Sequence, residues 1–157
     1  MTMRAYGFLA KPSVAFLTLW YMTETTAFAA PTIVTRNQDF DFGRVAGGAG
    51  RSGTVTITSA GSRTYSGNVL PLGTTFSAAR FTITGNAGET YTMTLPAEVI
   101  INAGVDQMTV TAITSSIPLT GVIPAGGSVS FSVGGTLNVG AVQRNAQYSG
   151  SMNVSVK

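Results

Sequence analysis

Asp39 and Asp41 flank Phe40, and they are the first pair of side chains in the sequence with types and spacing suited to chemistry. Residues i and i+2 of a strand share a face. Two carboxylates placed so could hold a cation or act as an acid/base pair. The same stretch has a plainer reading: Phe40 and Phe42 turn inward and both Asp face water. No third ligand lies nearby. Glu89, Glu98 and Asp106 stand alone near turns, where solvation accounts for them.

The chain has no Cys and no His. Thiolate and imidazole metal sites are therefore absent, as are the usual nucleophile–base pairs. No cofactor or metal site is expected, and an enzyme is not expected. "GAGRSG", Gly48 to Gly53, fits the dinucleotide fingerprint in letters only. That fingerprint works when its glycines lead a strand into a helix whose N-terminus holds a pyrophosphate. Here "TVTIT" follows, a strand pattern, so the segment is a glycine-rich turn. "NVS" at Asn153 matches a glycosylation acceptor but lies inside a strand pattern.

The first residues read as a secretory signal. Arg4 and Lys11 give a basic start, "VAFLTLWYM" (Val14 to Met22) is a short apolar run, and "AFAA" offers small residues. Cleavage is expected after Ala29, since a cut after Ala30 would place Pro31 beside it. The apolar run is far below the roughly 20 residues a spanning helix needs, so no membrane span is expected in the mature chain. Seven bases and five acids remain from residue 30 onward, scattered singly. Nucleic-acid binding would need them clustered.

From residue 30 to the end, period-two alternation dominates. Val55 and Ile57 share a face against Thr54, Thr56 and Thr58. Phe81 and Ile83, Tyr91, Met93 and Leu95, Met108 and Val110, Val129, Phe131 and Val133, Leu137 and Val139 repeat the pattern. Ile113 falls out of phase after Ala112, which predicts a bulge or a strand end. Gly- and Asn-containing stretches separate these runs and suit hairpin turns. The pattern predicts an all-β, antiparallel β-sandwich. A transmembrane barrel would need strands of about 9–11 residues, longer than most of these runs. Only Tyr65, Tyr91 and Tyr148 remain as Tyr and no Trp does, too few aromatics for a typical sugar-binding platform.

The two ends are the unusual part. Residues 30–38, with Ile33 and Val34 at their centre, form an extended stretch with no local hairpin partner. The last residues alternate Met152, Val154 and Val156 with polar neighbours and then stop, which leaves an open edge. An exposed apolar edge invites pairing with another chain. A spare strand from a neighbour would cover it.

"FDFGRV", "GTVTIT", "ARFTITG", "YTMTLP", "VGGTLNV" and "YSGSMNVSV", in that order, resemble a widespread family of secreted bacterial domains of unknown function. That family is common in alphaproteobacteria and is similar to subunits of chaperone–usher pili. The "YSG" ending is also similar to archaic and spore-coat-like pilins. The resemblance implies an immunoglobulin-like sandwich lacking its last strand and complemented by a donor strand. It divides the chain into a signal peptide (1–29), a donor segment (30–38) and a pilin domain (39–157). The donor would present Thr32, Ile33, Val34 and Thr35, with Ile33 favoured inward. Met152, Val154 and Val156 would line one side of the acceptor groove. Partners would be further copies of the same subunit, a periplasmic chaperone and an outer-membrane usher. The product would be an extracellular fimbrium serving adhesion or biofilm formation. The competing reading is a stand-alone secreted adhesin or matrix-binding protein. Two departures stand out: many such pilins end in an aromatic and carry a disulfide, whereas this chain ends in Lys157 and has no Cys.

Overall fold

A computed structural model describes residues 32–47 and 50–157. The expected cleavage site at Ala29 and Ala30 lies outside the described residues. The described residues form twelve strands and no helix: β1 (Ile33–Gln38), β2 (Val45–Gly47), β3 (Gly53–Ile57), β4 (Arg63–Gly67), β5 (Val69–Pro71), β6 (Ala79–Thr84), β7 (Thr90–Thr94), β8 (Val99–Ala103), β9 (Asp106–Ser115), β10 (Thr120–Val122), β11 (Ser128–Val139) and β12 (Ser155–Val156). Every pairing between them is antiparallel. The large sheet runs β1-β6-β11-β3-β4, with β9 on the far side of β11 and β8 beyond it. A small sheet, β10-β7-β12, and a two-stranded ribbon, β2-β5, complete the molecule. The architecture is an all-β, sandwich-like fold with a curled main sheet.

β11 is the spine. Its first half pairs with β6, Ser128 to Val133 against Thr84 to Ala79. Its second half pairs on the same edge with β3, Gly135 to Val139 against Ile57 to Gly53. The opposite edge holds β9. Gly134 and Gly135 sit where β6 leaves and β3 begins. A Cβ on Gly134 would collide with the backbone of Ile57 and Ser59. Only a residue without one lets the incoming strand approach this closely.

The bulge expected after Ala112 is present. Gly134 pairs with Thr114 but Thr136 pairs with Thr111, so Ala112 and Ile113 together oppose one residue. Ala112 takes φ 50°, in the left-handed region. The extra residue resets the alternation, and Ile113 turns inward to pack against both halves of the core.

The core has two clusters. One joins Phe81, Ile83, Tyr91, Met93, Ile123, Phe131 and Val133 between the large and small sheets. The other joins Val55, Val69, Met108, Val110, Leu137 and Val139. The Phe81 and Phe131 rings stack at 5.3 Å. At the end of the second cluster Tyr148 packs its ring inward. Its hydroxyl donates to the carbonyl of Arg144 at 3.0 Å and accepts from Gln143 Nε2 at 2.7 Å. A tyrosine fastening the loop just upstream of itself is a recurrent corner device in Greek-key sandwiches.

Candidate functional site

The carboxylate pair does not assemble into a reactive centre. Asp39 and Asp41 are exposed, while Phe40 and Phe42 are half-buried with ring centroids 4.6 Å apart. Asp39 pairs with Arg36 at 2.8 Å, and Asp41 Oδ1 accepts from the Gly43 amide at 2.7 Å. Glu89 accepts from the Asn86 amide, and Asp106 faces Arg144 at 3.5 Å. Among the described residues no three acidic side chains come close enough to hold a metal ion. A groove of about 1180 Å³ opens beside Phe42, Val99, Ile101, Met108 and Tyr148, with Asp39, Asp41, Arg44 and Arg144 among its lining residues. "GAGRSG" runs into β3, a strand, as its context predicts.

The N-terminal segment is not spare in this structure. Residues 33–38 form β1 and pair antiparallel with β6, Ile33 opposite Thr84 through Gln38 opposite Arg80. The expectation of an unpartnered segment is corrected on this point. Its partner lies some fifty residues downstream, so a search for a nearby hairpin mate cannot see it. The inward phase also differs from the one favoured for the donor. Val34 stands opposite Ile83 and packs against the core, whereas Ile33 is 55% exposed. Thr35 is exposed and Thr32 is half-buried. Ile83 is fully buried, and its cross-strand neighbour is pulled to the same face.

At the other end, Met152, Val154 and Val156 are half-buried on one face and pack against the first core cluster. Only Ser155 and Val156 join a ladder, opposite Thr94 and Met93 of β7, with Lys157 exchanging two backbone bonds with Thr92. Ser149 bridges to Asn102. Between these anchors, Gly150–Val154 belongs to no strand, and among the described residues none of its backbone groups takes part in a backbone hydrogen bond.

These two ends face each other across a seam. β1 is the edge of the large sheet and β12 the edge of the small one. Their Cα atoms approach within 8 Å, but no ladder joins them. A groove of about 760 Å³ lies along the seam. Val34, Arg36, Phe40, Ala79 and Phe81 line one wall, and Gly150 to Val154 line the other. The sandwich is thus unsealed on this side: the groove has a mixed lining in which polar surface outweighs apolar, and among the described residues the tail backbone beside it has no backbone partner. That is the geometry an added extended segment fits.

Downstream of β1 the chain is held firmly. Asp41 exchanges two backbone bonds with Ser77, at 2.9 and 2.8 Å, and Ser77 Oγ donates to the Asp39 carbonyl at 2.7 Å. Arg63 of β4 donates to the carbonyls of Phe42, Gly73 and Thr75. Its guanidinium also lies over the Phe76 ring at 4.3 Å and the Tyr65 ring at 5.2 Å. Gly43 takes φ +75°, and a Cβ there would strike the Thr75 carbonyl and the Arg63 side chain. The "FDFG" motif is therefore a bracket closed by one arginine from a distant strand. No sequence signal marked Arg63, since a lone arginine in a Thr-rich strand reads as a solvated charge.

No curated protein and no solved structure matches the chain. A family model does match, over residues 33–157, from the start of β1 to the end of the chain. By that match the chain belongs to the DUF4402 family, a domain of unknown function.

Proposed function

We propose that the protein is a structural subunit of a bacterial surface fibre, exported through the periplasm and polymerising by strand exchange. Segment 30–38 of one copy leaves its own β6 and docks on the next copy, between that copy's β6 and its tail. Met152, Val154 and Val156 form one wall of the acceptor, and Phe81 and Ile83 the other. Val34 is the residue that enters. A periplasmic chaperone and an outer-membrane usher are the partners expected to hold and hand over subunits. The fibre serves adhesion or biofilm formation, and the reading involves no catalytic step.

The observation that carries the reading is the unsealed seam between the two edge strands, with a weakly held β1 beside it. Only Val34 among the six residues of β1 is even half-buried. Half-burying one such side chain stabilises by about 1–1.5 kcal/mol. The ladder over five register pairs adds about 0.5–1.5 kcal/mol per bond, which brings the total to roughly 3–9 kcal/mol. Fixing six residues costs about 1–2 kcal/mol each, roughly 6–12 in all. Docking of β1 is near balance, so a neighbour's segment can compete for the same place.

Thr35 and Thr82 are direct cross-strand partners, and the chain has no Cys of its own. Replacing both by Cys allows β1 to be locked to β6 by oxidation. With chaperone and usher supplied, residues 30–157 carrying both changes are expected to form linear polymers when reduced and to stay monomeric when oxidised, by sedimentation and electron microscopy. Polymers of equal length in both states would overturn exchange through β1. The second reading, a stand-alone secreted adhesin or matrix-binding protein, draws on the pairing of β1 within its own chain. It predicts a monomer at all concentrations in either redox state, with chaperone and usher supplied.

A further inference from the structure

We propose that β1 opens as a single block about a hinge at Asn37–Gln38, with Arg63 fixing the point beyond which opening does not spread. The inference deepens the strand-exchange reading, and its functional meaning rests on it, but its test does not.

Three observations place the hinge. The register of β1 against β6 slips between Arg36 and Gln38, so Asn37 has no directly opposed residue. A slipped register is where a ladder is weakest and where a strand bends. Burial changes at the same place: of Ile33–Gln38 only Val34 is half-buried, while Phe40 and Phe42 just downstream pack into the core. The hydrogen bonds change there too. Upstream, the side-chain contact from β1 to β6 is Asn37 Nδ2 to Thr82 Oγ1 at 3.2 Å, in the open. Downstream, Asp39, Asp41 and Phe42 are tied by backbone and side-chain bonds to Ser77 and Arg63. Among the described residues, the one ion pair that spans the hinge, Arg36 with Asp39, has both side chains about 70% exposed. A pair so exposed holds little.

Arg63 is a positioning residue in this device. Its hydrogen bonds and ring contacts go to Phe42, Gly73, Thr75, Tyr65 and Phe76, none of them in β1. It holds the Phe42 carbonyl from β4 while its ring contacts keep the guanidinium in place. Losing it frees the bracket and lets opening run past Gln38 toward Gly43. Local opening of this kind is what amide exchange measures.

The test is hydrogen exchange, read by mass spectrometry, on monomeric residues 30–157 that have no chaperone or usher present. Amides of Val34–Gln38 are expected to exchange together and at least about 10-fold faster than those of Asp41–Val45. In Arg63→Met, exchange of 39–45 should rise toward the rate of β1 while that of β1 stays unchanged. Should that variant fail to fold, Ser77→Ala removes one tie to Asp39 and should move 39–45 in the same direction by a smaller factor. Limited trypsin digestion of the unaltered chain should cut first after Arg36. Exchange of 33–45 as one unit, β1 as protected as β6, or a first cut at another arginine would each overturn the hinge. A failure to polymerise would count against the fibre reading and leave these rates where they are.

Discussion

Val34 of β1 lies directly opposite Ile83 of β6, on the face that meets the core, while Ile33 beside it faces water. That one-residue distinction decides what each can contribute. Val34→Asp should undock β1 and bring exchange of the 34–38 amides to that of an open segment, while global stability falls by no more than about 1 kcal/mol, because docking is near balance. Ile33→Asp should leave both the exchange of β1 and the unfolding midpoint nearly unchanged, within about 0.5 kcal/mol, as an exposed substitution does. Equal effects would mean that the strand sits in the other phase.

Arg63 offers a second measurement. It satisfies three carbonyls and stacks on two rings. Arg63→Lys keeps the charge but cannot reach three acceptors from one planar fork. A loss of about 2–4 kcal/mol is expected in urea unfolding, with the lysine variant no better than Arg63→Met by more than about 1 kcal/mol.

Gly43→Ala combines a left-handed backbone with a direct clash against the Thr75 carbonyl. It should cost about 2 kcal/mol or more, well beyond the roughly 1 kcal/mol that the backbone preference alone would take. Gly104→Ala, also at positive φ but with open space around it, isolates that smaller backbone term. Comparing the two unfolding midpoints separates the bracket from generic turn strain.

Tyr148→Phe removes the hydroxyl that fastens the loop upstream of the tail and leaves the ring in the core. A loss of about 1–2 kcal/mol is expected. Since the same loop leads directly into Gly150–Val154, exchange of the tail amides should quicken in parallel.

The strands with strict alternation were legible in the sequence because each buries one face fully. Val55 and Ile57, Phe81 and Ile83, Tyr91 and Met93, Met108 and Val110 all lie in the core as their spacing predicts. β4, β5, β8 and β10 carry weaker patterns and sit at edges or in ribbons, where burial on one face does not write itself into residue choice. Val129, Phe131 and Val133 form one alternating run and Leu137 and Val139 another, yet both lie on one twelve-residue strand. Glycine suggests a reversal in sequence, but at 134–135 it serves close approach instead. The tail face of Met152, Val154 and Val156 could be read from alternation. The partner of β1 could not, because cross-strand pairing at long range leaves no local mark. Arg63 was hidden for the same reason: its three acceptors come from segments ten or more residues away.

The placement of β11 governs the order in which the molecule can be completed. β3, β6 and β9 all precede it in the chain, and all use it as a neighbour. Until residue 139 has been synthesised, three Thr-bearing segments lack the partner that joins them. Contacts this distant form slowly and leave the unfinished chain adhesive in the meantime. The interval between arrival of the first strand and arrival of the spine is when the polypeptide is most open to wrong pairing.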